Sequence, residues 1–599
     1  MSEASTIINR ELAPLGSTVV EEGVTFHVWA PHAEAVSVIG DFNNWQEGAT
    51  PMHRTDRDSW QCLVEDAEIG QEYRYLIHNG TQKLSRIDPY AREVTNSVGN
   101  GVISDTSFDW GDDDFELPTL NELVIYEMHV GTFNRPADED VGEFEDVEAK
   151  LQYLAGLGVN AIQIMPSAEF AGDISWGYNP AHIFAVESAY GGPRALKQLV
   201  KSAHQHGIGV IMDVVYNHFG PSDLDLWQFD GWGENGKGGI YFYNDWRSTT
   251  PWGDTRPDYG RGEVRQFIYN NAMMWMDEFH MDGLRYDMTL YMRSVDGDES
   301  RSIPEGWSLA QWVNRDIHRK HPRAITIAED LRNNDGITKP EEHGGANFSS
   351  QWDAKFVHPI RAVVSTPNDA ERSMHAVKDA LCYRYNLDAF ERVIYSESHD
   401  EVANGKKRVP SEIDEADPDS WFAQKRSTLA AALVFTAPGI PMIFQGQEFL
   451  RGNWFDDSNP IDWTEEQECQ GIVGMYRELI KLRLNREGKT AGLTGQRIEV
   501  HHVNDAEKLI AFRRWKDGGH GDDTVIIANF SNRGWEDYRV GFVRPGEWRL
   551  LFDSNAQVYS EDFEAFPTHN VQSDEGKWDG LAYNGSFSIA PYSVLIYGQ

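Results

Sequence analysis

Cysteine is almost absent: 599 residues hold three, Cys62, Cys382 and Cys469, far apart and without a CxxC pair. That excludes a disulfide framework and a cysteine-ligated zinc site, and it reads as buried thiols in a reducing compartment. Positive charge is scarce too. Lysine and arginine total 53 against 95 acidic residues, a formal net charge of −42. Such a field repels phosphate backbones and anionic lipid, so nucleic-acid and membrane-surface partners are disfavoured, whereas a neutral substrate is not. No apolar run is long enough to span a bilayer. The longest, Leu429 to Phe444, is interrupted by Pro438, Gly439 and Pro441 and reads as helix, turn and strand. The first ten residues lack the basic and apolar regions of a secretory signal, so the cytoplasm is the expected location. No GxxxxGK[ST] occurs, and the one GxGxxG, Gly231 to Gly236, has no strand before it or helix after it.

Aromatic residues are plentiful: 20 Trp, 23 Tyr and 28 Phe. Flat rings suit large cores and also stack on sugar faces. A chain this long divides into several domains. Over residues 20–105 short alternating segments (Val24–Ala30, Val36–Gly40, Trp60–Val64, Tyr73–Ile77) predict a β-sandwich, and acidic Asp109 to Glu116 reads as a linker. From Leu123 the rhythm becomes strand, helix, strand. Candidate strands are Val124–Met128, Ala161–Met165, Gly209–Asp213, Gly283–Asp287, Ala324–Ala328, Val393–Tyr395 and Pro441–Phe444. Between them lie helical stretches at Phe144–Leu157, Arg194–His206, Val264–Phe279 and Trp421–Phe435. Repeated βα units of this number predict a closed (β/α)8 barrel. After Leu484 short strands return and predict an antiparallel β-domain, which gives an expected division of 1–110, 111–490 and 491–599.

Barrels of this kind place their chemistry at the C-terminal ends of the strands. Four predicted strands end in Asp213 (followed by Asn217 and His218), Asp287 (after Arg285), Glu329 (with Asp330) and His399–Asp400. One such acid is an ordinary helix cap; four at equivalent places point to a shared pocket. Paired carboxylates are what glycosidic cleavage needs, one as nucleophile and one as proton donor. Arg285, two residues before Asp287, shares its face and should hold it ionised, while a drier setting should raise Glu329. His218 and His399 are expected to donate hydrogen bonds to sugar hydroxyls.

These segments resemble the alpha-amylase superfamily. Asp213-Val-Val-Tyr-Asn-His218, Gly283-Leu-Arg-Tyr-Asp287, Ile327-Ala-Glu329 and Ser398-His-Asp400 are similar, in order, to its four conserved stretches. The resemblance implies Asp287 as nucleophile, Glu329 as acid/base and Asp400 as transition-state stabiliser. It also implies a sugar subsite lined by Asp213, His218, Arg285 and His399, with Tyr178 as the stacking platform. Phe26–Pro31 and Gly40–Trp45 resemble a glycogen-binding-type module, with Trp45 and Trp60 as candidate glucan-binding rings. Within the superfamily, Glu397–Glu401, Asn404–Lys406, Phe444–Phe449, Trp454 and Ile461–Trp463 look like the branching enzymes, which move an α-1,4-glucan chain onto a 6-hydroxyl. Val124–Phe133 and Asn217–Pro221 look like trehalose-releasing hydrolases. A non-catalytic glucan-binding scaffold is the alternative of another class. Tyr286 and Met288 depart from both groups, so donor subsites unlike either are expected. No cofactor is expected. Calcium near Asn217, a ligand position in many relatives, is left open for want of further oxygens.

Overall fold

The computed structural model describes residues 12–599; the Met1–Arg10 segment, read above for the lack of a signal, lies outside them. The alternating segments near the N-terminus form two small sheets. Gly16–Val20, Gly23–Trp29, His53–Arg54 and Ser59–Val64 make one, and Ala35–Gly40, Glu72–Asn79, Gln82–Arg86 and Gly101–Val102 the other. Phe26, Tyr73 and Tyr75 fill the space between them. Trp60 belongs to this core: it is buried, and its indole donates to the Ala30 carbonyl at 3.0 Å. The expectation of a glucan-binding ring therefore fails at Trp60, because a side chain that closes its own module has no free face.

The acidic stretch before the barrel is pinned along its length. Trp110 stacks on His280 at 3.8 Å and Phe115 on His204 at 4.6 Å. Asp113 bonds both histidines at 2.9 Å.

Eight parallel strands then close into a barrel: Ile125–Met128, Ala161–Ile164, Gly209–Val214, Gly283–Tyr286, Ile325–Ala328, Ser350–Trp352, Arg392–Ile394 and Ile440–Phe444. Seven coincide with predicted strands to within a residue or so at either end. The sixth, Ser350–Trp352, was not foreseen, since three residues with one apolar side chain carry no periodicity. Phe144–Leu157 is two helices, 144–148 and 151–157, ended by Gly158 in the left-handed region at φ 103°. Arg194–His206, Val264–Phe279 and Trp421–Phe435 are observed as 192–205, 262–277 and 421–436.

Alternation along the strands decides what reaches the mouth. Ile125, Ile211, Ile325, Ile327, Trp352, Val393, Ile440 and Met442 pack together inside the barrel. Their neighbours Tyr126, Met212, Leu284, Tyr286 and Ala328 join the outer core beneath the helices. Continuing the inward face upward by twos brings Glu127, Asp213, Arg285 then Asp287, and Glu329 to the top. Gly283 opens the fourth strand because a β-carbon there would collide with the Ile325 carbonyl.

After the barrel, eight strands between Arg497 and Gly598 form one antiparallel path, and Leu509, Ile527, Phe542, Trp548 and Phe587 fill its core. The apolar stretch Leu429–Phe444 is a buried helix, a turn and the eighth barrel strand, as expected. Among the described residues no helix is long and apolar enough to cross a membrane. The cysteines are unpaired; Cys62 and Cys469 are half-buried, but Cys382, at a helix end, is exposed, which corrects the reading of all three as buried.

Candidate active site

The inward-facing acids meet on one cation. Arg285, fully buried, reaches Asp213 at 2.6 Å and Asp287 at 3.3 Å through Nη1, and Glu329 at 2.7 Å through Nη2. Its guanidinium lies 4.3 Å from the centre of the Trp352 ring, which supports it from the sixth strand. The expected pairing of Arg285 with Asp287 is thus its longest contact; the short arms go to Asp213 and Glu329. Asp287 is steadied instead by Asn217, whose Nδ2 donates to Oδ2 at 2.7 Å. Glu329 accepts a second hydrogen bond from the Met288 amide at 3.1 Å. Met288 sits at φ 36°, a left-handed turn that aims its N–H back at Glu329.

Three carboxylates around one guanidinium in a dry site favour protons. Burial pushes Asp213 up to about 6, opposed by Arg285 and by the Tyr178 hydroxyl. Burial also takes Asp287 to about 6, with Arg285 opposing and Asp213 adding to the rise. Glu329 climbs furthest, to about 7, through burial and the negative charges of Asp287 and Asp400, against the pull of Arg285. Asp287 is therefore not held in the ordinary carboxylate range by its arginine, because desolvation outweighs the shared cation.

Around these acids the loops bring rings and donors. Gly177 (φ 91°) allows the turn after the second strand, since a β-carbon there would strike the Pro166 carbonyl. The turn lays Tyr178 over the mouth, its hydroxyl 2.6 Å from Asp213 Oδ2 and its ring stacked 5.0 Å from His399. His399 is gripped by Glu127, through Nδ1 at 2.6 Å and its backbone N–H at 2.9 Å. Burial opposes the charged imidazole, but the Glu127 carboxylate wins and raises its pKa. His218 differs from expectation. Its Nδ1 faces Asn217 Oδ1 and its Nε2 the Tyr178 carbonyl at 3.0 Å, so both ring nitrogens point at protein oxygens, only one of which the neutral ring's single N–H can serve. Burial lowers it to about 4. Its role here is to brace Asn217, and its ring stacks 4.5 Å from Trp252. The Asn217 side chain turns Nδ2 to Asp287 and Oδ1 to His218.

These groups line a cleft of about 500 Å³ whose walls include Tyr178, His218, Trp252, Asp287, Glu329, His399 and Asp400. Asp213 and Arg285 lie beneath it. Asp400, 43% exposed at its side chain, faces Lys406 at 3.7 Å. Through Trp176, Asn404 and Asp457 the cleft runs into a second hollow of about 580 Å³ that carries Trp454, 59% exposed. Tyr286 points away from the cleft into the outer core, edge-on to Tyr216 and Phe348. Of the two departures noted in the sequence, only Met288 touches the cleft.

Sequence reasoning missed Glu127, Trp252 and Trp352. Glu127 carried a signal, an acid on the inward register of an otherwise apolar strand. Trp252 and Trp352, on a loop and on the unforeseen sixth strand, carried none.

The family description "Alpha amylase, catalytic domain" matches residues 125–228 and 229–478. The chain belongs to the alpha-amylase family. The flanking regions match "Carbohydrate-binding module 48 (Isoamylase N-terminal domain)" over 14–91 and "Alpha amylase, C-terminal all-beta domain" over 500–598. Similar curated relatives include the 1,4-alpha-glucan branching enzyme of Aquifex aeolicus, 30% identical over 97% of this chain and 95% of that one. That of Corynebacterium jeikeium is 30% identical over 91% of this chain and 78% of its own length. Among solved structures, a putative alpha amylase from Salmonella typhimurium superposes with a TM-score of 0.74 at 22% identity, covering 98% of this chain and all of that one. Pullulanase type I from Bacillus subtilis superposes at 0.77 with 21% identity, covering 98% and 86%. At these identities the last two show the shared fold.

Proposed function

We propose that the protein is a 1,4-alpha-glucan branching enzyme that works by double displacement, with Asp287 as nucleophile, Glu329 as acid/base and Asp400 as stabiliser. The observation that carries the chemistry is the grip of Arg285 on both Asp287 and Glu329 at the floor of one open cleft. Similarity to branching enzymes along more than nine-tenths of the chain supports the acceptor being a glucan and not water.

In the first half-reaction Glu329 gives its proton to the oxygen of an α-1,4 linkage while the Asp287 carboxylate attacks the anomeric carbon, and the reducing-end fragment leaves. Burial and the charges of Asp287 and Asp400 favour a proton on Glu329, as a donor requires, while Arg285 and Asn217 favour the ionised form of Asp287. Tyr178 supplies a ring for the sugar held there, and Glu127 raises the pKa of His399, which favours an N–H on the ring nitrogen turned away from that carboxylate. Asp400 accepts from hydroxyls whose bonds tighten as the ring flattens. In the second half-reaction a 6-hydroxyl of another chain surrenders its proton to Glu329 and attacks the glycosyl–Asp287 ester, which forms an α-1,6 branch and frees Asp287. The hollow beside Trp454 gives a long chain room to extend beyond the scissile linkage. We place the work in the cytoplasm, where glucan and a reducing environment coexist.

The test is product analysis on amylose. Branching removes iodine colour, leaves reducing ends constant and creates α-1,6 signals in the proton NMR spectrum. Growth of reducing ends in step with colour loss would assign the chain to the hydrolases instead, and trehalose released from a maltooligosyltrehalose would assign it to the trehalohydrolases. Binding of amylose with no turnover would leave only the scaffold.

A further inference from the structure

At the opposite end of the barrel from the cleft, a hollow of about 620 Å³ lies where the strand N-termini meet the C-terminal β-domain. Its walls come from three places: Leu120 and Asn121 before the first barrel strand, Arg384, Asp388 and Phe390 before the seventh, and Thr494–Arg497 with Lys516 from the β-domain. In a chain with 95 acidic and 53 basic residues, this wall carries three cations and one acid. None of Arg384, Arg497 and Lys516 is ion-paired among the described residues. Arg384 spends one nitrogen on the Gln496 carbonyl, while Arg497 and Lys516 are exposed. Asp388, the one acid, already caps the Phe390 amide at 2.8 Å through Oδ1.

Behind the wall the imbalance grows. Arg483 and Arg514 are fully buried, and neither meets a carboxylate. Arg483 donates to the carbonyls of Asn121 (2.7 Å) and Gly439 (2.9 Å). Arg514 donates to those of Leu493, Gly495, Arg497 and Thr436. Burying guanidinium groups against neutral carbonyls alone is costly, and a nearby anion would relieve it. Arg514 also feels the charges of Arg483, Arg392 and Arg384. Two guanidinium groups with no carboxylate in contact thus stand behind an open hollow, and their carbonyl partners Asn121, Gly495 and Arg497 are themselves wall residues.

We propose that this hollow binds a small phosphate-bearing anion, with the phosphate held by Arg384, Arg497 and Lys516. Guanidinium forks suit phosphate oxygens, and the volume falls within the range of small-molecule sites. It exceeds the need of a bare phosphate. The remaining wall offers the Gln496 amide and the second oxygen of Asp388, which suit the hydroxyls of a sugar phosphate. Such a site is remote from the acids of the cleft and does not depend on which reaction they perform.

Calorimetric titration of the full chain at low ionic strength tests this, with glucose 6-phosphate, inorganic phosphate and glucose as probes. One-to-one saturable binding of glucose 6-phosphate is expected, with glucose silent. Comparison with inorganic phosphate separates the two sources, since tighter binding of the ester assigns the hydroxyl contacts and equal binding assigns free phosphate. The double variant Arg497→Gln/Lys516→Gln changes two exposed side chains, so its fold should hold; it should weaken binding at least tenfold, and Arg384→Gln should do the same. Absence of saturable binding, affinity unchanged in both variants, or glucose binding as well as its phosphate would overturn the proposal.

Discussion

Replacing Asp287 with Asn should make the protein more stable while stopping its chemistry, and the gain should depend on pH. Three carboxylates share Arg285, so at high pH two negative charges stay uncompensated in a buried site. Asp287 has been driven from 3.8 to about 6, mainly by burial. Above pH 8 that rise corresponds to about 3 kcal/mol of strain relative to a solvated carboxylate. A carboxylate whose folded pKa exceeds its unfolded one holds its proton more tightly when folded, so stability is lost as pH climbs from about 4 through about 6. Asn removes the charge and keeps a partner for Asn217, whose Nδ2 can donate to the new amide oxygen. Scanning calorimetry should therefore show the variant melting about 2 °C above wild type at pH 8, a small shift because the chain is long. The gain should fall to about half by pH 5 and vanish below about pH 4, where the carboxyl is protonated in both the folded and the unfolded chain. Turnover on amylose should fall about ten-thousand-fold or more. A variant that melts lower at pH 8, or is equally stabilised at pH 5 and pH 8, would refute the picture of a crowded, desolvated acid cluster.

Glu127→Gln should lower the His399 pKa by removing the carboxylate that raises it, and should cut kcat/KM about 10–100-fold as a charged hydrogen bond is lost. Histidine NMR shifts followed with pH will show whether the imidazole has moved. An unmoved His399 titration would contradict the assigned role. Trp454→Ala should raise KM for amylose several-fold and leave kcat nearly unchanged, the mark of lost uniform binding. Equal KM values for long chains in wild type and variant would remove Trp454 from the substrate path.

How much of this was readable beforehand follows from the period of a strand. Seven barrel strands were legible because each carries two or more apolar residues within the strand–helix rhythm, and the acids at their tops were legible because two-residue alternation puts Asp213, Arg285, Asp287 and Glu329 on one inward face. The sixth strand was invisible: Ser350–Trp352 borrows its stability from neighbours on both sides and has no pattern of its own. What alternation could not supply was the pairing at the top. Arg285 and Asp287 are nearest in sequence and should be partners on that ground, yet adjacent positions on one strand's face diverge along the strand while Asp213 and Glu329 come in from the two flanking strands. The cation is therefore shared sideways around the barrel, and no local motif encodes that.

The two acids assigned to the chemistry are both almost fully buried at the cleft, and beside Arg285 each leans on a different amide donor, Asn217 for Asp287 and the Met288 backbone for Glu329. Asp287 keeps an amide donor of its own from Asn217, a bond that favours its charged form. Glu329 faces the charge of Asp400 as well as that of Asp287. Remove Asn217 and Asp287 loses a bond that favours its charged form, so its carboxyl should hold a proton more tightly and attack less readily. The residue that brings Asn217 into place is His218, whose two ring nitrogens both point at protein oxygens. In this chain the histidine thus serves the nucleophile through an intermediary, and its effect on the reaction is exerted on a carboxylate two side chains away.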